Sequence, residues 1–147
     1  MTTQMLQVWL EGRTRFSKIV DQLKDEDLSK KLGNAPNSIG FLVRHVAEVE
    51  LLFSKNVFQN VEVKVIAKTV IDGKDTGVWT NLAELKSICE EAFQTLKKTI
   101  ESQDPNSWND LVTTKEFGTK TKAEALARVV THAAYHAGQM AIILKYV

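Results

Sequence analysis

The chain is poor in the features that mark a specialised environment, and each shortage excludes something. There is one cysteine, Cys89, so no internal disulfide can form, which fits a reducing cytosol. No apolar run approaches the roughly 18 to 20 residues that cross a bilayer, and the longest candidate is broken by histidines. A soluble protein with no membrane partner is expected. Charge of neither sign prevails: 19 Lys and Arg stand against 18 Asp and Glu, a net of +1. No overall field would hold such a chain on a phosphate backbone, so nucleic acid is not expected as a partner. The start, "MTTQMLQVWLEGRTRF", has no basic region followed by an apolar stretch, so it does not read as an export signal. A cytoplasmic location follows as an expectation. There is no internal repeat and no low-complexity tract.

What is present is ordinary for one globular domain spanning residues 1–147: 44% of the residues are hydrophobic and 25% charged. Leu6, Trp9, Leu10, Phe16, Val20 and Leu23 recur near a 3.6-residue period and predict a first helix over 3–24. "KKLGNAPNSIG" is a turn ending in two capping residues, Asn37 and Ser38, and predicts a second helix over 38–58. The stretch 59–80 changes character: "VEVKVIAKTV" alternates apolar and polar residues and "DGKDTG" follows, which reads as an extended crossover. Asn81 with Glu84 resembles a capping box, and Leu82, Leu85, Cys89, Ala92, Leu96 and Ile100 continue a third helix to about 102. "DPNSWND" breaks the chain, and "LVTTKEFGTKTK" reads as an irregular or short extended connection. Thr121 and Glu124 form a second capping box that opens a last helix running to residue 147. Four amphipathic helices, each about 30 Å long, make an all-α four-helix bundle. The long link between the second and third helices allows an order other than simple up-down.

The chain has three histidines. His132 and His136, in "THAAYHAGQM", are four residues apart on one helical face, so their imidazoles can converge on one point. His45 lies on the second helix between Leu42 and Val49, on its apolar side. Two readings stay open: unrelated core histidines bonded to carbonyls, or three ligands from two helices holding one metal ion. Three neutral imidazoles suit Zn²⁺, Ni²⁺, Fe²⁺ or Cu²⁺ better than Mg²⁺ or Ca²⁺, and three protein ligands leave a coordination position open for a water or a thiol.

With those residues in view, the chain resembles the DinB/YfiT-like family of metalloenzymes. "SIGFLVRHVAEVE" looks like that family's helix-two block with its single histidine, and "GTKTKAEALARVVTHAAYHAGQM" looks like its final H-x-x-x-H-x-G-Q block. The resemblance implies a four-helix bundle, usually a homodimer, with a divalent metal on His45, His132 and His136. It also implies hydrolysis or thiol-dependent transfer or isomerisation on a small-molecule substrate, with a low-molecular-weight thiol as cosubstrate in the second case. Many members carry arginine after the second histidine of the final block, where this chain has Ala137. The alternative is a non-catalytic, metal-binding or stress-related dimer, which a fourth protein ligand would mark.

Other residues invite roles. Glu48, one turn after His45, is the candidate catalytic group: it can hold a ligand's second nitrogen, accept a proton, or face water. Gln139 is a candidate hydrogen-bond partner of the site, or a contact at the bundle end. Cys89 sits on the apolar stripe and reads as a small buried hydrophobe. Trp9 reads as core, whereas Trp79 and Trp108 stand in connections where they would border an opening. Gly138 within the last helix suggests close approach of another backbone, and "KDEDLSKK" reads as a solvated turn.

Overall fold

The computed structural model describes residues 1–147. Its elements are α1 (Thr2–Gln22), α2 (Ile39–Asn56), α3 (Lys68–Asp72), α4 (Leu82–Glu101), β1 (Leu111–Thr114), β2 (Gly118–Thr121) and α5 (Lys122–Tyr146), with 3-10 turns at Asp25–Asp27 and Ser107–Asn109. Three of the four long helices begin where the sequence offers caps. The Ser38 hydroxyl accepts from the Phe41 amide, Asn81 accepts from the Glu84 amide, and Thr121 and Glu124 complete a reciprocal box. The box expected at Asn81 is half present, since the return bond from Glu84 is not made.

α1 packs against α4 and α5, and α2 packs against the same two, so consecutive helices α1 and α2 lie across the bundle from each other. α2 and α4 run the same way. The Cys89 thiol lies 4.0 Å from the Val43 carbonyl toward one end, and Asn60 donates to Thr99 at 2.8 Å toward the other. Parallel neighbours need a connection that returns the full helix length, which is the work of residues 57–81.

That crossover is not extended throughout, as its alternation suggested. Val63 is buried and Val61 exposed, but no strand lies alongside to pair with, and the segment ends in α3. The connection after α4 takes the extended of its two expected forms, as an antiparallel hairpin with Leu111 opposite Thr121 and Thr114 opposite Gly118.

Two apolar clusters stack along the bundle. One gathers Phe16, Leu42, Val46, Ala133 and Met140; the other gathers Trp9, Phe53, Leu96, Trp108 and Val129. Trp108 is therefore core rather than rim, with its indole N–H donating to Thr2 Oγ1 at 2.8 Å. Trp79 borders no opening at the histidines and lies under the Arg44 guanidinium, 5.0 Å from its ring centre. In the "KDEDLSKK" turn, Leu28 is buried and Asp27 accepts from the Lys24 amide, so the segment is anchored and not merely solvated.

The helices are also tied by charge. Arg13 of α1 forms a two-point pair with Glu50 of α2 at 2.8 and 2.9 Å, and it reaches the Cys89 carbonyl of α4 at 3.2 Å. Both partners are buried. Burial works against the guanidinium's charge, but attraction and hydrogen bonding to Glu50 hold its pKa above the ordinary value.

The close approach expected at Gly138 occurs elsewhere. A Cβ on Gly138 would meet nothing within 4 Å, whereas one on Gly40 would lie 1.9 Å from the Trp79 carbonyl oxygen.

Candidate metal centre

α2 and α5 are neighbours, and the three histidines sit on their seam, where the two apolar clusters meet. His45 lies between Leu42 of one cluster and Val49 of the other, and His132 between Val129 and Ala133. One-turn spacing does the rest: His132 and His136 stack along α5 and face His45 across the seam. His132 Nε2 is 3.1 Å from His45 Nε2 and 3.1 Å from His136 Nε2. One ligand atom from each of the three rings lies within 4.8 Å of the others. Nitrogens bound tetrahedrally to an ion at about 2.0–2.1 Å stand about 3.3–3.4 Å apart, so the cluster can hold a metal with little movement.

The far side of two rings fixes their tautomers. The Thr69 hydroxyl donates to Glu48 Oε2 at 2.5 Å, so it can only accept from His45 Nδ1–H at 3.0 Å. His136 Nδ1–H donates to Gln139 Oε1 at 2.6 Å. Both Nε2 atoms are then unprotonated and carry lone pairs aimed into the cluster. His132 has one proton to offer at Nε2 and can satisfy only one of the two. The other Nε2, at 3.1 Å, is then left without a donor, and with the His132 proton on Nδ1 instead both contacts would set lone pair against lone pair, unless a cation stands between them.

A proton is a poor candidate for that cation near neutral pH. Burial and the neighbouring His136 push His45 down to about 4, and burial with His136, His45 and Arg128 pushes His132 down to about 3. His136 is lowered as well, chiefly by burial. The chemistry of the donor set fits a transition ion: three neutral imidazoles, two of them oriented by a second hydrogen bond.

Glu48 lies behind Thr69. It is fully buried, receives Arg44 Nε at 2.6 Å on one oxygen, and receives the Thr69 amide and hydroxyl on the other. Its expected contact with a histidine is therefore indirect, through Thr69, and the solvent-facing reading fails. Thr69, the link itself, was missed by sequence reasoning, because nothing in "VIAKTVID" distinguishes it. Gln139 does meet the site, on His136. Cys89 is remote and buried, and burial raises its thiol pKa to about 12, which suits packing and not nucleophilic attack.

A cleft of about 950 Å³ opens onto His45 and His132. Val49, Leu52 and Phe53 of α2 form one wall, and Arg128, Thr131 and Tyr135 of α5 another. The hairpin tip, Lys115 to Phe117, lies over it, with the Phe117 ring 5.9 Å from that of Phe53. Ala137 is buried in the core, so residue 137 faces away from this space.

A four-helix bundle with a parallel α2/α4 pair and a three-histidine cluster on the α2/α5 seam defines a class of protein, and the comparisons agree with it. The sequence profile of the DinB superfamily matches residues 9–140, and the chain belongs to that superfamily. Among solved structures, the mycothiol-dependent maleylpyruvate isomerase superposes with a TM-score of 0.72 at 16% identity, over 95% of this chain and 60% of the isomerase. This chain thus spans about three-fifths of that enzyme's length. YfiT from Bacillus subtilis, a probable metal-dependent hydrolase with an unusual four-helix bundle topology, superposes with a TM-score of 0.72 at 11% identity, over 98% of this chain and 86% of YfiT. No functionally curated protein is significantly similar in sequence. No helix is long and apolar enough to cross a membrane.

Proposed function

We propose that this protein is a metal-dependent enzyme in which His45, His132 and His136 hold one divalent transition ion, and a water or a low-molecular-weight thiol attacks a small electrophile in the adjoining cleft. The observation that carries the reading is the pair of lone-pair nitrogens at the cluster, each fixed by a partner on the opposite ring atom. When bound, the ion supplies Lewis acidity that brings water or thiol toward its nucleophilic form near neutral pH. The chain's own residues do the positioning. Thr69, held by Glu48, orients His45; Gln139 orients His136; the hairpin tip and Phe53 line the cleft that leads to the histidines.

The absence of a usable base favours an ion-activated nucleophile over general-base catalysis by a side chain. Glu48 is enclosed and already accepts three hydrogen bonds, and no other carboxylate joins the three histidines. The same fact weighs against the non-catalytic alternative, since a closed structural site would draw a fourth protein ligand. The structural likeness to a thiol-dependent isomerase and to a probable hydrolase supports both nucleophiles equally. Assembly as a homodimer belongs to the same reading and is tested by sedimentation.

Metal analysis of protein purified without a polyhistidine tag is the test of ligation. About one equivalent of Zn²⁺, Ni²⁺ or Fe²⁺ per chain is expected, lost in His132→Ala. Unchanged, sub-stoichiometric metal in both would end the ligand assignment. Turnover is then sought by pairing thiol cosubstrates with electrophiles, and ester and amide substrates with water. Inertness of the metal-loaded protein toward all of them would favour the non-catalytic reading.

A further inference from the structure

The cleft beside the histidines has a sharper chemical character than its size conveys. Its charged side chains are Lys115, Glu116 and Arg128, two cations and one anion. Arg128 makes one side-chain hydrogen bond, Nε to Glu116 Oε1 at 3.4 Å, and the two side chains are about half exposed. A long, solvated pair of that kind contributes little and is readily exchanged for another anion. The terminal nitrogens of Arg128 and the Lys115 ammonium have no protein acceptor. Behind these cations the floor is apolar, with Val49 and Phe53 buried and Leu52 partly so, and with Phe117 closing over Phe53.

We infer that the cleft takes a small organic anion with an apolar body: Arg128, assisted by Lys115, receives the charge, and Phe53, Leu52, Val49 and Phe117 receive the body. This rests on the proposed function in placing the occupant beside the ion, but the recognition itself belongs to Arg128 and the apolar wall. Glu116 acts as an internal competitor. In the empty cleft it holds Arg128, and an incoming carboxylate, sulfonate or phosphate replaces it. The geometry supplies a cation from position 128, one to two turns before the histidine pair, although position 137 carries alanine and faces the core.

The test uses 4-phenylbutane-1-sulfonate and the matched neutral 4-phenylbutan-1-ol as probes, titrated calorimetrically into metal-loaded and chelator-treated protein. A sulfonate coordinates transition ions weakly, so its preference over the alcohol reads the cations and not the metal. The sulfonate is expected to bind about tenfold more tightly than the alcohol. Arg128→Gln should remove most of that ratio while leaving the alcohol within about twofold, since only a charge-assisted contact is lost. Glu116→Gln should raise it about two- to fivefold by freeing Arg128. Phe117→Ala should weaken both probes together. Equal binding of the two probes by the wild type, or a ratio untouched by Arg128→Gln, would overturn the inference. Failure of the metal reading shows separately, as wild-type protein that retains no ion. An Arg128-dependent sulfonate preference in that protein would still support the assignment of the cleft.

Discussion

At the scale of single residues, one hydroxyl determines which nitrogen of His45 is offered to an ion. Thr69 donates its hydroxyl hydrogen bond to Glu48 and so obliges His45 to keep its own proton on Nδ1. Thr69→Val removes that restraint at nearly constant volume, and metal affinity should fall by about 10- to 100-fold with the helical signal unchanged. Competition against a chromogenic chelator measures it, and an affinity equal to wild type would show that Thr69 orients nothing. The pair Arg13–Glu50 is the counterpart for stability. Glu50→Ala leaves a buried guanidinium without its partner and should cost about 3–5 kcal/mol in urea unfolding, while replacing both residues with apolar side chains of similar size should recover most of the loss. These two features differ in how they were written in the chain. Arg13 stands between Leu10 and Phe16, and Glu50 between Val46 and Phe53, so charged residues on apolar stripes signalled a buried pair to a closer reading. Thr69 comes from an irregular stretch, and its partners are 21 and 24 residues away, so no local pattern could mark it.

At the scale of elements, two glycines in helices predict opposite outcomes. Gly40 packs against the crossover, where a Cβ would strike the Trp79 carbonyl and the Leu28 carbonyl lies close behind. Backbone would have to move, so Gly40→Ala should destabilise by about 2–3 kcal/mol. Gly138 meets open space, so Gly138→Ala should stabilise α5 by about 0.5–1 kcal/mol. Thermal melts of the two variants check both signs together, and a stabilised Gly40→Ala would remove the close approach from the account. The long helices were legible because caps and stripes are local: Ser38, Asn81 and Thr121 start them where expected. The long crossover was legible as such, but its alternation, which records burial and not pairing, gave no sign of α3. Val63 turns inward and Val61 outward beside the bundle, yet a strand needs a partner that the chain does not supply. The hairpin could be read as a short extended connection but not as a register, which is set by the pairing of Thr113 with Thr119 across a turn with left-handed Gly118.

At the scale of the molecule, the bundle order makes the site. With α1 and α2 diagonal, α2 is free to lie beside α5, and only that adjacency brings His45 to the pair on α5. The sequence pattern held the three candidate ligands but not this adjacency, which depends on long-range packing between the two clusters. The half-buried histidines also set a pH dependence. Their folded pKa values lie below the unfolded value near 6.5, at about 4 for His45 and about 3 for His132. The metal-free protein should therefore keep this contribution fully above pH 6.5 and lose it progressively as pH falls toward 4 and 3, because the unfolded chain then binds more protons. Urea midpoints of chelator-treated protein between pH 8 and 5 measure the slope, which should flatten in His132→Ala; a stability that rises on acidification would contradict the sign. Saturating ion should raise the midpoint by mass action at pH 8 and still do so at pH 5, because folded His45 and His132 take up protons only near 4 and 3.

The most direct measurement is X-ray absorption spectroscopy on the zinc-loaded, tag-free protein. The account predicts three imidazole nitrogens at about 2.0–2.1 Å and at least one further light ligand that exchanges with solvent or thiol. An ion with fewer than three imidazoles, or one closed by a fourth protein side chain, would contradict it.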